Sequence, residues 1–347
     1  MNPGAIWWGQ IGNSLRLLTE ITNCFRDFRS AVLELPTRLP WRQEMRDRAA
    51  IRRTALGRNR ELRLLPWREH WEPGDFVLRE LCSREEQLDY YPGDSLADYL
   101  GSRENLELNE QDIWITGIHR REDLLKWCTF LTEYERVSAQ LPDRAVFVLE
   151  YDGPPVSNPG IAHLSFRLED YDCRVFCLEA AAALNNTGLR AYQAELALHI
   201  GSTDPEVSWE LLQMGEALLR DPVAATREAL ARSRDFGQLS EQQTVSAAWR
   251  SAVVLFFPVL EQWRMDCIRR NAEELQRQLP ITDSNGESIT ELEALELGNL
   301  YYIRKNRPGC RLSQEDKAKI DLCRHARNLL AHNKMICLED ARRIMEL

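Results

Sequence analysis

Residues 112–155 read DIWITGIHRREDLLKWCTFLTEYERVSAQLPDRAVFVLEYDGPP. The first seven residues are an apolar run with β-branched side chains, which predicts a strand over 112–118. Residues 122–140 repeat their apolar positions at helical spacing. Residues 145–155 form a second apolar run and end in a Gly-Pro-Pro turn. A strand, a helix and a strand, with both strands apolar throughout, describe a sheet buried on both faces and joined by a crossover helix. This is the signature of an α/β layer with a mainly parallel sheet.

The same grammar extends outward. IGNSLRLLTEITNCFRDF (11–28) predicts a helix, and SAVLELP (30–36) predicts a strand closed by Pro36 and Pro40. A polar helix is expected over 41–56, followed by a strand in ELRLLPW (61–67). GDFVLRELCS and SLADYLGSR are expected to be helical. Further strands are expected in IAHLSFRL (161–168) and CRVFCLEA (173–180). From 185 onward every segment reads as helical. Asp204-Pro205 and Asp221-Pro222 read as an N-cap followed by Pro in the first turn. A long helix containing Pro258 and a final helix ending in NLLAHNK complete the chain. The expected organisation is therefore an α/β domain over 1–184, a helical connector or lid over 185–235, and an all-α domain over 236–347.

Composition narrows the function. The 347 residues are 44% hydrophobic and 28% charged, as in a globular chain. The formal net charge of −10 disfavours a basic coat protein for nucleic acid. The charge is unevenly spread, however. Residues 1–70 carry 13 Lys and Arg against 7 Asp and Glu, residues 71–235 carry 15 against 31, and residues 236–347 are balanced at 16 each. The dense basic stretch Arg42–Arg63 reads as a solvated helix face with i,i+4 pairs, or as a contact surface for nucleic acid or an acidic partner. Nine cysteines with no CxxC pair read as reduced thiols of a cytoplasmic protein. No secretory leader and no membrane span are expected.

The sharpest motif is Arg327-Asn328-Leu329-Leu330-Ala331-His332. It resembles the RNxxxH motif of the HEPN superfamily, over roughly residues 240–347. The resemblance implies an all-helical fold and a pair of units sharing one cleft, hence a homo-oligomer. It also implies metal-independent endoribonuclease chemistry in a bacterial conflict or anti-phage system, with RNA as substrate and other defence proteins as partners. Arg327 would hold the phosphate by paired donors, and His332 would move a proton at the 2′-hydroxyl or the leaving oxygen. Asn328 would orient the phosphate or the imidazole. No cofactor and no metal are implied. Five residues along a helix turn through about 140° net, so Arg327 and His332 converge only if the helix end unwinds or a second copy closes the site. The alternative function is a non-catalytic scaffold or regulatory subunit that binds a partner NTPase or nuclease.

A second resemblance lies at the other end of the chain. Gly9-Gln10-Ile11-Gly12-Asn13-Ser14, ahead of SAVLELP, resembles the phosphate-binding loop of AAA+/STAND NTPases, without the Lys of GxxxxGK[ST]. Ala145–Asp152 resembles the Walker B strand of the same class, with Glu150 and Asp152 as its acids. The expected fold is therefore a degenerate NTPase-like domain or a generic α/β domain of another lineage. Other candidates carry less chemistry. Trp7 and Trp8 read as core anchors or a stacking pair. Glu169, Asp170 and Asp172 read as a solvated turn or a divalent-cation site. His325 reads as an exposed histidine or a second residue of the motif's site.

Overall fold

The computed structural model describes residues 2–57, 59–93, 95–157, 159–184, 188–232, 239–282 and 286–347. Packing divides the chain into two compact units, Met1–Asp172 and Cys173–Leu347. The expected connector over 185–235 thus packs inside the second unit. Its residues 185–187 and 233–235, and 236–238 after it, lie outside the described residues.

The first unit opens with helices α1 (Pro3–Gln10) and α2 (Gly12–Arg26), strand β1 (Ala31–Glu34), helix α3 (Arg42–Thr54) and strand β2 (Glu61–Pro66). Helices α4 (Pro73–Leu81), α5 (Arg84–Leu88) and α6 (Leu96–Ser102) lead to strand β3 (Gln111–Ile118). Helix α7 (Arg121–Val137) then crosses to strand β4 (Val146–Tyr151), and residues 152–161 lead to strand β5 (Ala162–Ser165). The five strands form one sheet in the order β2-β3-β4-β1-β5, and every pairing is parallel. Leu33 lies opposite Glu150 of β4 and Leu164 of β5.

Both faces are covered, which explains the unbroken apolar runs. On one face Ile113, Ile115, Phe147 and Leu149 join Phe76, Trp127, Leu131 and Tyr134 of α4 and α7 in one core. Trp127 sits edge-on to Trp67 at 5.2 Å and to Phe76 at 5.9 Å. Such arrangements match the quadrupoles of the rings. On the other face Phe25 of α2 meets Trp114 of β3. Trp7 and Trp8 are fully buried, and the Trp8 indole N–H donates to the Pro40 carbonyl at 3.0 Å. They are therefore core anchors.

Helix α8 (Asp170–Leu184) crosses the division between the units. It holds CRVFCLEA, for which a strand was the expectation. A short apolar run does not by itself distinguish a strand from a helix. Here Cys173, Phe176, Cys177, Ala180 and Ala181 are all buried at i, i+3, i+4, i+7 and i+8. The acids Asp170 and Asp172 lie in its first turn, where the helix dipole favours negative charge.

The second unit continues with α9 (Arg190–Gly201), α10 (Pro205–Gln213), α11 (Glu216–Arg220), α12 (Pro222–Arg232), α13 (Glu241–Arg270) and α14 (Ala272–Gln276). A two-stranded antiparallel ladder follows, β6 (Ile281–Thr282) with β7 (Ser288–Ile289). The chain ends with α15 (Leu297–Asn306), α16 (Gln314–Ala331) and α17 (Leu338–Met345). The small ladder is a departure from an all-helical reading. Asp204 caps α10 through bonds from the Glu206 and Val207 amides, with Pro205 at the first helical position. Asp221 accepts from the Ala224 amide at 3.0 Å, just ahead of Pro222. Helix α13 continues through Pro258 and is long and apolar enough to cross a membrane by length and composition alone. It packs against α9, α12, α16 and α17 as the central helix of this unit. All nine cysteines are free, and Cys337 is the exposed one.

Candidate functional sites

The RNLLAH motif closes α16. Its apolar face is set by Ile320, Cys323, Ala326 and Leu330, all buried at helical spacing. The Trp249 indole of α13 donates to the Leu330 carbonyl at 2.8 Å and fixes the helix end. Arg327 lies at the edge of that face and is exposed. Its guanidinium lies 3.8 Å from the Glu296 carboxylate, and both side chains are well exposed, at 46% and 74%. Such a pair contributes little and exchanges readily with another anion. Asn328 is half-buried. His332 is the C-cap residue, and its backbone N–H donates to the Asn328 and Leu329 carbonyls. Its side chain is exposed. Among the described residues, no side-chain hydrogen bond or ion pair joins His332 to Arg327 or Asn328. His325 is also exposed and lies 3.7 Å from Asp340.

Next to this helix is a cavity of about 750 Å³, bordered by the β6–β7 ladder, α15 and α16. Glu296, the ion partner of Arg327, is among its lining residues, as are Tyr301, Tyr302, Lys305 and Arg324. Sequence reasoning missed this aromatic and basic wall, because Tyr301 and Arg324 meet only when α15 packs on α16.

A second cluster lies at the carboxyl ends of the strands in the first unit. In open α/β sheets this is where ligands bind, at the point where the outgoing connections diverge. Here β1 leads by α3 toward the β2 edge, and β4 leads to β5 on the opposite side of β1. Glu150 and Asp152 stand at that divergence, on or just past β4. Glu150 is buried and accepts four hydrogen bonds: from Arg46 Nε at 2.9 Å, Arg46 Nη2 at 2.7 Å, Arg42 Nη1 at 3.1 Å and the Trp114 indole at 2.9 Å. Asp152 accepts from Arg42 Nη1 at 3.0 Å and pairs with His119 Nδ1. The other terminal nitrogen of Arg42 donates to the Pro36 and Thr37 carbonyls, which ties down the loop after β1. Trp41, in the left-handed region at φ 45°, turns the chain into α3. A register shift between Ile115 and Ile118, with Gly117 at φ 78°, ends β3 just before His119. Bulges of this kind re-aim side chains beside functional sites.

Two sequence expectations change here. The basic stretch is neither a plain solvated face nor a free contact surface, because its arginines neutralise buried acids at both ends of the sheet. Arg42 and Arg46 engage Glu150, while Arg53 and Arg60 engage the buried Asp112 at the start of β3. The Gly9–Ser14 segment also does not occupy a strand-to-helix turn: it links α1 to α2, and β1 comes only afterwards. A phosphate-binding loop needs a strand before it and a helix after it, so this segment does not fit. The acids of the Walker B-like strand are already satisfied by guanidiniums.

Among the described residues, no group of His, Cys, Asp and Glu is arranged to hold a metal ion. In the Glu169–Asp172 cluster, Asp172 accepts a hydrogen bond from Asn13 at 3.1 Å. Burial raises its carboxyl above the usual range, with the Asn13 bond opposing. No protein-family model matches the chain, and no curated protein matches it.

Proposed function

We propose that the helical second unit is a metal-independent, HEPN-like endoribonuclease that acts as a homo-oligomer in an anti-phage or conflict system of the bacterial cytoplasm. The observation that carries this reading is the presentation of the motif. Ala326 and Leu330 are buried, whereas Arg327 and His332 at the end of the same helix are exposed. Arg327, held only by an exposed ion pair, and the exposed His332 side chain five residues further on are thus open to a ligand.

The chemistry follows from these groups. Arg327 exchanges Glu296 for a phosphodiester and holds it by paired N–H donors. The 2′-oxygen attacks the adjacent phosphorus, forming an O2′–P bond while the P–O5′ bond breaks. His332 accepts the 2′-hydroxyl proton, and the His332 of a second copy supplies a proton to the departing 5′-oxygen. The products are a 2′,3′-cyclic phosphate and a 5′-hydroxyl. Asn328 orients the phosphate.

A second reading, a non-catalytic scaffold that binds a partner NTPase or nuclease, draws support from the first unit. Its strand-end acids are saturated by Arg42 and Arg46, which suits a rigid docking platform better than nucleotide hydrolysis. Incubation of the full chain with labelled RNA in EDTA separates the two readings. Cleavage by the wild type that is lost in Arg327→Ala and His332→Ala supports the nuclease. Cleavage equal in all three, or none by the wild type, refutes it.

A further inference from the structure

We propose that the cavity beside the motif is a subsite for an unpaired nucleobase of single-stranded RNA, with Arg324 as its stacking platform. The proposal rests on the reading of the motif as an RNA-cleaving site and adds to it the form of the substrate.

The platform is prebuilt. The Arg324 guanidinium lies 3.9 Å from the centroid of the Tyr301 ring, and Arg304 and Lys305 lie 5.9 and 6.0 Å from the same ring. Stacking on the ring holds the guanidinium before any ligand arrives, which limits the ordering cost of binding. Arg304 is neutralised by Asp321 at 2.6 Å. Among the described residues, Arg324 and Lys305 make no ion pair, and the two cations sit over Tyr301 while the carboxylates Glu287 and Glu296 line the same cavity. Tyr302, 43% exposed, adds a second aromatic surface.

Polar groups suited to a base edge are left over at the same place. The Asn299 carbonyl oxygen is used by the Glu296 amide at 2.8 Å, which leaves its NH₂. The Asn306 NH₂ is used by the Tyr302 carbonyl at 3.1 Å, which leaves its carbonyl oxygen. One donor and one acceptor therefore remain among the lining residues. The volume of about 750 Å³ is of ligand-pocket size.

Two features link the cavity to the scissile phosphate. Arg324 and Arg327 are three residues apart on α16 and so share a face of the helix. Glu296 lines the cavity and also pairs with Arg327. A base inside a duplex cannot reach such a wall, whereas unpaired bases stack on aromatic rings and on arginine planes.

The test uses the full chain with His332→Ala, which separates binding from cleavage. Fluorescence anisotropy compares a labelled single-stranded RNA of about a dozen nucleotides with an abasic ribose-phosphate oligomer of the same length and with duplex RNA. The expected result is single-stranded RNA bound about 10-fold more tightly than the abasic oligomer, in the range for one base stack. Duplex RNA is expected to bind no better than the abasic oligomer. Adding Arg324→Lys keeps the charge and removes the plane. It should abolish the preference for bases while leaving abasic affinity within about twofold, as expected when only the stacking share is lost. Tyr302→Ala should reduce the preference, and thermal melting of both variants checks that they fold. Equal affinity for base-bearing and abasic oligomers, absence of binding, or a preference that survives Arg324→Lys overturns the proposal. A base preference that depends on Arg324 in a chain that cuts no RNA overturns the nuclease reading and leaves the subsite standing.

Discussion

Glu150→Gln removes the charge that two guanidiniums converge on, and its cost follows from the surroundings of that carboxylate. Glu150 accepts four hydrogen bonds and its side chain is 1% exposed. Removing one partner of a buried ion cluster costs about 3–5 kcal/mol, because the other charge is left buried. The arginines here are not fully sealed. Arg42 and Arg46 keep 24% and 20% side-chain exposure, and Arg42 retains Asp152 and two carbonyls. The amide oxygen of Gln still accepts at least one bond. The low end, about 3 kcal/mol, is therefore expected. For a unit of this size that is a fall of roughly 6–12 °C in Tm. Seven of the ten tryptophans lie within residues 1–172, so denaturation followed by tryptophan fluorescence reports mainly on this unit. A quadruple variant, Arg42→Met, Arg46→Met, Glu150→Met and Asp152→Asn, should recover at least half of the loss, since it avoids the desolvation of these charges and strands no carboxylate on the lost Arg42. A loss below about 1 kcal/mol in Glu150→Gln, the value of a surface pair, would refute the reasoning. So would a quadruple variant as unstable as the sum of the single ones.

Three further outcomes are expected. Gly153→Ala places a Cβ 2.2 Å from the His119 carbonyl oxygen and 2.5 Å from the Tyr151 hydroxyl; overpacking of this kind costs about 1–3 kcal/mol, read by urea denaturation, and it should shift the His119 imidazole signals in NMR. Gly201→Ala meets Ser208 Oγ at 2.2 Å and its backbone N at 3.0 Å, where α9 and α10 approach closely, so a similar loss is expected in the second unit. For Asp316, burial pushes the carboxyl up, but bonds from Arg270, Asn271 and Ser313 outweigh it and hold the carboxyl below its ordinary value. Its stabilising contribution is thus present above the ordinary aspartate range, near about 3.9, and is lost as pH falls through the lower folded value. Asp316→Asn should flatten the acid limb of a stability-versus-pH curve, and an unchanged limb would contradict this.

Much of the parallel sheet was legible because burial on both faces leaves a direct mark, as in DIWITGI and VFVLEY. The misread CRVFCLEA shows the limit of that mark: a helix buried on one face, with the apolar Leu178 on its exposed face, leaves the same short apolar run. The two Asp-Pro caps were legible because Asp and Pro act within one turn. The helix carrying Arg327, Asn328 and His332 was also legible, from the periodicity of its buried positions.

Contacts across long separations were not legible. Arg42 and Glu150 are 108 residues apart, and nothing local distinguishes an arginine that neutralises a buried acid from one on a solvated face. The stacking of Arg324 on Tyr301 likewise depends on how α15 lies against α16. Local pattern specifies helices, strands and caps, because propensity, periodicity and capping act over a few residues. Which charges are neutralised, which cavity opens beside the motif and which side chains stay free for a ligand follow from packing between elements, where burial and partner geometry set the energies.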